Sequence, residues 1–149
     1  MLITLENTIS THNKIRNYFI KQLNKKISFK DFSPNEISLL LALGNNPTIN
    51  TASELCKVLM VSKGLISRSV DSLIERNLII PIKNENDKRI TYLKLNDESK
   101  TIVNSMNEAM IEINQDFIEV FDAEELKVIY KVNDKIKQFI KEKEEEINE

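Results

Sequence analysis

The sequence predicts a mainly α-helical domain that carries one small β-hairpin. Three observations support this fold class. Apolar residues recur every three or four positions through most of the 149 residues, which is typical of amphipathic helices. Three copies of a helix-start pattern, in which Ser, Thr or Asp precedes Glu by three residues, divide the chain. Residues 79–95 instead hold two short apolar, β-branched runs around a polar tip, which is typical of a hairpin.

Composition limits the class of protein. Hydrophobic residues make up 41% of the chain and charged residues 30%, so a core can form and general disorder is not expected. The first ten residues lack the basic segment and cleavage site of a signal peptide. No apolar run approaches the roughly 20 residues that cross a bilayer. We therefore expect a cytoplasmic protein without a membrane partner, and the single Cys fits a reducing compartment.

Charge is unevenly distributed although the net charge is only −2. Residues 62–95 hold seven Lys/Arg and four Asp/Glu, a net charge of +3, whereas residues 96–149 hold seven and fifteen, a net charge of −8. A basic centre beside an acidic C-terminal third is typical of a DNA-binding protein whose far side is kept away from phosphate. An ordinary solvated acidic helix explains the C-terminal charge equally well.

The helices are predicted in order from spacing and caps. Apolar spacing indicates a long first helix over residues 5–27. Capping boxes at Ser33 and Thr51 begin the second and third helices, with Pro34 at the first helical position. After the hairpin, Asn96 caps a fifth helix, and a third capping box at Asp122 begins a sixth.

Residues 61–95 are predicted to form a helix and a hairpin wing that together contact DNA. The fourth helix starts after Ser62 and ends near Asn77, with an apolar face opposite a polar face that begins with small and basic residues. A helix that enters the major groove by its N-terminal end needs this order of charge, because its other end points back toward the protein. In the strands, residues 79–83 and 90–95, four apolar side chains are expected to face inward: Ile80, Ile82, Leu93 and Leu95.

This region resembles the multiple-antibiotic-resistance regulator (MarR) family of winged helix-turn-helix repressors. The family's Ser-x-x-x-x-Ser-Arg helix appears as Ser62 and Ser67-Arg68, its helix exit as residues 73–79, and its Asp-x-Arg wing as Asp87-Lys-Arg89. Asn77 replaces the family's usual Gly, and Leu95-Asn-Asp replaces its common Leu-Thr. The order of the predicted helices matches that of the family over nearly the whole chain.

The resemblance implies a single domain over residues 1–149 that acts as a homodimeric transcriptional repressor on a palindromic double-stranded DNA operator. Residues 1–30 and 97–145 would form the dimerisation helices, and residues 34–95 the DNA-binding winged helix-turn-helix. In many members a small-molecule effector releases the DNA, and in a few thiol oxidation does.

Arg68 is the predicted reader of a guanine in the major groove, because its planar fork matches the two acceptors there. Arg89 is expected to enter the minor groove, with Asp87 orienting it through a charge-assisted bond. Gly64 either allows close backbone approach to DNA or is a permissive surface glycine. The remaining expected contacts, to phosphates or base edges, are Ser62, Lys63, Ser67, Lys83 and Lys88. Taken alone, residues 87–89 also fit an ordinary charged hairpin turn.

Other classes of function have less support. With one His, one Cys, no Gly-rich phosphate loop and no HExxH or CxxC spacing, we expect no catalytic residue, cofactor or metal ligand, and thus no enzyme. Cys56 lies on the apolar face of the third helix and is expected in the core rather than in a redox site. The main alternative is a winged-helix interaction module that acts through protein contacts without DNA.

Overall fold

The computed structural model describes residues 5–27 and 31–148 and divides into two compact units, Met1–Ile111 and Glu112–Glu149. Two parts of the predicted N-terminal dimerisation segment, residues 1–4 and 28–30, lie outside the described residues. Across the part of the chain that is described, no helix is both long and apolar enough to span a bilayer.

The described residues form six helices and one two-stranded sheet, in the order that the sequence predicts. The helices are α1 (Leu5–Lys26), α2 (Pro34–Asn45), α3 (Ala52–Leu59), α4 (Lys63–Glu75), α5 (Asp97–Ile118) and α6 (Ala123–Asn148), and the strands are β1 (Ile79–Lys83) and β2 (Thr91–Leu95). The predicted fold class, mainly α with a hairpin wing, is confirmed.

Side-chain caps define the starts of α2 and α3. The Ser33 hydroxyl accepts a hydrogen bond from the Glu36 N–H at 3.3 Å, and the Glu36 carboxylate accepts one from the Ser33 N–H at 2.7 Å. Thr51 and Glu54 form the same reciprocal pair, at 3.3 and 2.9 Å. Each box satisfies two backbone donors at a helix start, which is why both predicted starts are confirmed.

The core of the first unit lies where α2, α3 and α4 meet. Leu40, Leu55 and Leu73 come from these three helices in turn, and none of them has exposed surface. Cys56, which was expected in this core, is only half-buried. At the end of α4, Asn77 has a φ of 55°, a left-handed conformation that Asn adopts more readily than most residues. The predicted helix end is therefore confirmed without a glycine.

The wing is an antiparallel pair in which Ile79 lies opposite Leu95. Directly opposed residues share one face of a sheet, so Ile79, Leu93 and Leu95 are buried together. Ile80 and Ile82 point to the other face and are 46% and 43% exposed. The prediction that these two residues face inward is wrong, because the pairing register places their neighbour Ile79 on the core face instead.

The last two helices begin at the predicted caps. The Asn96 side chain accepts a hydrogen bond from the Ser99 N–H at 2.7 Å, and the Asp122 side chain accepts from the N–H groups of Glu124 and Glu125, both at 2.9 Å. Along α6, large apolar side chains at helical spacing are exposed in the single chain: Ile129, Val132, Ile136, Phe139 and Ile140.

Candidate nucleic-acid interface

The N-terminus of α4 differs from those of α2 and α3 because no side chain caps it. Ser62 occupies the N-cap position with extended backbone angles, φ −60° and ψ 148°, but its hydroxyl makes no capping hydrogen bond. The predicted N-cap position is confirmed, but the capping bond is not formed. This helix end can therefore direct its first N–H groups and its positive dipole end toward an external anion.

Five of the predicted site residues share the exposed surface at this end of α4. They are Ser62, Lys63, Gly64, Ser67 and Arg68. The opposite side of the helix carries Ile66, Val70 and Leu73 into the core, as predicted. A Cβ added at Gly64 would have no atom within 4 Å, so internal packing does not require a glycine there.

Arg68 is held against its own helix. Its Nε donates a hydrogen bond to the carbonyl oxygen of Gly64 at 3.2 Å, which directs the side chain toward the N-terminal turn of α4. Asp71 and Glu75, both exposed, follow toward the C-terminal end. The polar face thus changes from basic to acidic along the helix, and its basic end coincides with the uncapped N-terminus.

Asn84 organises the tip of the wing. Its side-chain oxygen accepts hydrogen bonds from the N–H groups of Asn86 at 2.8 Å and Asp87 at 3.2 Å, and its nitrogen donates to the Tyr92 hydroxyl at 2.9 Å. A backbone hydrogen bond closes the turn, in which the Asn84 N–H donates to the Ile90 carbonyl at 3.0 Å. These bonds define the turn from which four predicted site residues project, all of them exposed: Lys83, Asp87, Lys88 and Arg89.

Asp87 contacts the backbone of Arg89 in this tip. Its carboxylate accepts a hydrogen bond from the Arg89 N–H at 2.9 Å, the geometry of an Asx turn. The sequence predicted a charge-assisted bond between Asp87 and the Arg89 side chain. The structure instead shows a bond between Asp87 and the Arg89 main-chain N–H. Asp87 therefore shapes the turn that presents Arg89.

Metal-ligating side chains do not gather in the described ranges. Within residues 5–27 and 31–148, no group of three or more His, Cys, Asp or Glu is placed to hold a metal ion. The chemistry that the interface offers is that of exposed cations, hydroxyls and backbone N–H groups, which suits phosphate and base edges.

The sequence did not predict a partly buried polar cluster that joins α2 to the C-terminal end of α4. Glu36, predicted only as a capping residue of α2, also accepts hydrogen bonds from the Ser72 hydroxyl at 2.7 Å and from Arg76 Nη1 at 3.3 Å, both at the C-terminal end of α4. Burial raises the pKa of Glu36, but the bonds from Ser72 and Ser33 and the charge of Arg76 outweigh it and hold the pKa below its usual value. The only sequence signal was the polar Ser72 close to the apolar face of α4.

The exposed basic helix end, the hairpin wing and the packing of α2, α3 and α4 together define a winged helix-turn-helix protein. Residues 30–90 match the model of the MarR family, a range that contains α2 to α4 and β1. The predicted resemblance is therefore confirmed for residues 30–90, which are similar to the winged helix of MarR-family transcription regulators. A search of curated protein sequences found no match.

Solved structures share this fold over almost the full length of the chain. FabT from Streptococcus pneumoniae in complex with DNA has a TM-score of 0.74 and 24% identity, covering 92% of this chain and 94% of that chain. Wild-type apo MarR from E. coli has a TM-score of 0.71 and 20% identity, covering 91% and 98%. The heme sensor protein PefR from Streptococcus agalactiae, in complex with heme, has a TM-score of 0.62 and 18% identity, covering 91% and 92%. At these identities the likeness establishes the fold.

Proposed function

We propose that this protein is a transcriptional repressor that binds a palindromic DNA operator as a homodimer. The observation that carries the proposal is the uncapped N-terminus of α4, which exposes Lys63 and Arg68 to solvent beside its free N–H groups. A wing that exposes Lys88 and Arg89 lies in the same unit. The fold is shared with FabT, which was solved in complex with DNA.

In this proposal the N-terminal end of α4 enters the major groove. The terminal nitrogens of Arg68 donate to the O6 and N7 acceptors of one guanine, a pairing that other bases do not offer. Ser62, Lys63 and Ser67 bind phosphate or base edges, and the helix N-terminus adds its N–H groups to a phosphate. Phosphate contacts position the helix, whereas the arginine reads sequence.

The wing contacts the neighbouring minor groove. Arg89 enters it where A·T-rich sequence narrows the groove and concentrates negative potential. Lys83 and Lys88 bind the phosphates on either side, and Asp87 keeps the turn in shape through the Arg89 N–H. The wing therefore reads groove width in addition to the base read by Arg68.

Charge and exposed apolar surface both support dimerisation. One copy of residues 62–95 has a net charge of only +3, so tight binding requires two copies acting together. The apolar stripe on α6 offers a surface for a second copy, in line with the predicted dimerisation helices. Two recognition helices in successive major grooves would read half-sites about 10 bp apart.

Effector binding is supported by one cavity in the first unit. It has a volume of about 190 Å³ and is lined by Arg16, Phe19, Leu23, Ile37, Leu41 and Met110, among others. This volume is below the roughly 300 Å³ at which drug-sized pockets begin, so a compact molecule is the class to test. The Arg16 guanidinium and the apolar walls suit a small aromatic or aliphatic acid. Release of DNA by such acids, followed by fluorescence anisotropy, tests this part of the proposal.

The decisive experiment is selection of bound duplexes from random DNA, followed by titration of the selected duplex against salt. We expect an imperfect palindrome and an affinity that falls steeply as salt rises, because each neutralised phosphate releases counterions. An absence of duplex binding at low salt would instead favour the alternative function, a winged-helix module that acts through protein contacts alone.

A further inference from the structure

In addition to the apolar packing of its inner face, helix α4 makes polar contacts with α2 at its C-terminal end. Glu36, at the start of α2, is only 6% exposed and divides its carboxylate between two tasks. One oxygen caps α2 through the Ser33 N–H, and the other accepts the bonds from Ser72 and Arg76. The Arg76 guanidinium also lies over the Phe32 ring, 4.4 Å from its centroid.

A second attachment joins the exit of α4 to the start of α5. The Asn96 side-chain amide donates a hydrogen bond to the Asn77 carbonyl, and the Ser99 hydroxyl donates one to the Leu78 carbonyl. Ser99 has no exposed surface, so its bond is shielded from water. The turn that ends α4 is thus tied directly to α5.

The helix α2, which carries Glu36, is itself fixed to α5. Gly44 lies so close to Val103 that an added Cβ would be 2.5 Å from Val103 Cγ1. Asn45 and Asn107 exchange two amide hydrogen bonds, at 3.0 and 2.8 Å. Because α2 and α5 are joined in this way, the bonds from Glu36 and Asn96 hold α4 to one common frame.

We propose that Glu36 is a positioning residue for the DNA-reading end of α4, and that through Ser72 and Arg76 it determines base discrimination rather than general DNA affinity. The proposal rests on the proposed function. From Ser72 to Lys63 the helix rises about 13 Å, so a tilt of about 5° at Ser72 moves the reading end by about 1 Å. Bidentate bonds to a base, formed between about 2.7 and 3.2 Å, do not tolerate this shift. Lysine side chains that bind phosphate are flexible enough to tolerate a shift of this size.

The test compares Glu36→Gln with Glu54→Gln. Glu54 is a matched control because it closes the same capping box, on α3, and its bonds go to Asn50 and Thr51 rather than to α4. For each variant, the dissociation constant is measured for the selected operator and for the same operator altered at the base pair assigned to Arg68. The ratio of interest is the dissociation constant for the altered operator divided by that for the selected operator. We expect this ratio to fall about tenfold in Glu36→Gln, equivalent to about 1.4 kcal/mol, and to keep its wild-type value in Glu54→Gln.

This ratio separates positioning from stability. A smaller folded fraction lowers the affinity for every duplex by one factor and leaves the ratio unchanged. An unchanged ratio in Glu36→Gln, or an equal fall in Glu54→Gln, would overturn the proposal. Ser72→Ala, which removes one donor and introduces a good helix former, provides a second variant and should lower the ratio in the same direction.

Hydrogen exchange of the free protein tests the same contact without DNA. We expect the α4 amides to exchange faster in Glu36→Gln than in the wild type, whereas Glu54→Gln should affect α3. Unchanged exchange in α4 would overturn the positioning role. Failure of the proposed function would be recognised separately. In that case the wild-type protein would bind no duplex in preference to another, whereas the hydrogen-exchange result would still report on the role of Glu36.

Discussion

Arg68 illustrates how a single local bond holds a side chain in the orientation that the proposed base contact requires. Its Nε–H is donated to the Gly64 carbonyl, so the side chain is already directed toward the N-terminal turn before any ligand arrives. Holding a long side chain in place before binding reduces the conformational entropy that binding must remove. The same bond places the basic group next to the uncapped helix end, where an anion is most favoured.

Arg68→Ala is expected to weaken operator binding by about 1–3 kcal/mol and to relax the preference at one base pair. Lys63→Ala, the control, should weaken specific and non-specific duplexes alike and reduce the salt slope by about one. Anisotropy titrations over the operator and its single-base variants measure both effects. If Arg68→Ala binds the operator as tightly as the wild type, the assignment of Arg68 is wrong.

Glu36 makes the stability of the protein depend on pH. Its folded-state pKa lies below the ordinary glutamate value of about 4.3, so the folded protein binds this proton less tightly than the unfolded chain does. The contribution to stability is therefore fully present above that value and is lost as the pH falls below it toward the folded pKa. Urea unfolding between about pH 6 and 3 should show a smaller fall in the free energy of unfolding for Glu36→Gln than for the wild type. Parallel curves would contradict this expectation.

The N-termini of helices α2, α3 and α4 differ in how their backbone N–H groups are bonded. Capping boxes close α2 and α3, so the N–H groups of the N-cap and of the third helical residue are bonded within the protein in each helix. The start of α4 has no side-chain cap and faces solvent. Among these three starts, that of α4 combines the lack of a side-chain cap with an exposed basic residue, Lys63, so it is the one suited to contact phosphate.

The two glycines, both in helices, are predicted to respond oppositely to alanine. Gly44→Ala should destabilise the protein by about 1–3 kcal/mol, because its Cβ would meet Val103 at the contact between α2 and α5. Gly64→Ala has open space and should stabilise α4 by up to about 1 kcal/mol. Thermal unfolding measures both changes, and equal melting temperatures for the two variants would show that the close contact is relieved at no cost.

Gly64→Ala also decides between the two interpretations of that residue. If the backbone approaches DNA closely, the added methyl group should lower operator affinity although the protein itself is no less stable. If Gly64 is a permissive surface residue, the affinity should match that of the wild type. Anisotropy titration of the same purified variant distinguishes the two results.

For the molecule as a whole, the proposed dimer depends on apolar surface that a single chain leaves exposed on α6. Ile136 is central in the α6 stripe, with Ile129 and Ile140 about two turns and one turn away. A charge placed there should disrupt a dimer, because it would be buried without a partner in the interface.

Ile136→Glu is expected to shift the protein from dimer to monomer and to weaken operator binding at least about tenfold, since the second recognition helix is lost. Gln138→Glu is the matched control, because it adds the same charge on the opposite side of α6. Sedimentation equilibrium measures the assembly and anisotropy the affinity. A dimeric Ile136→Glu protein with wild-type affinity would place the interface elsewhere.

The helices and strands could be predicted from local sequence, because helix caps, left-handed turns and apolar periodicity act over a few neighbouring residues. The capping boxes at Ser33 and Thr51, the turn at Asn77 and the order of charge along α4 are all local signals of this kind. They were sufficient to predict a winged helix-turn-helix and the residues exposed at its reading end. A wing of the right length also followed from its turn and its two apolar runs.

Which residues meet across helices and strands depends on long-range packing, which the local sequence patterns do not specify. Strand register buries Ile79 rather than Ile80, since pairing depends on the partner strand and the core below it. The polar Ser72 near the apolar face of α4 was not sufficient to predict the second bonding role of Glu36, because Ser72 lies 36 residues away and meets it only once α2 and α4 pack. Local chemistry therefore specifies the parts of the interface, and long-range packing specifies how they are held.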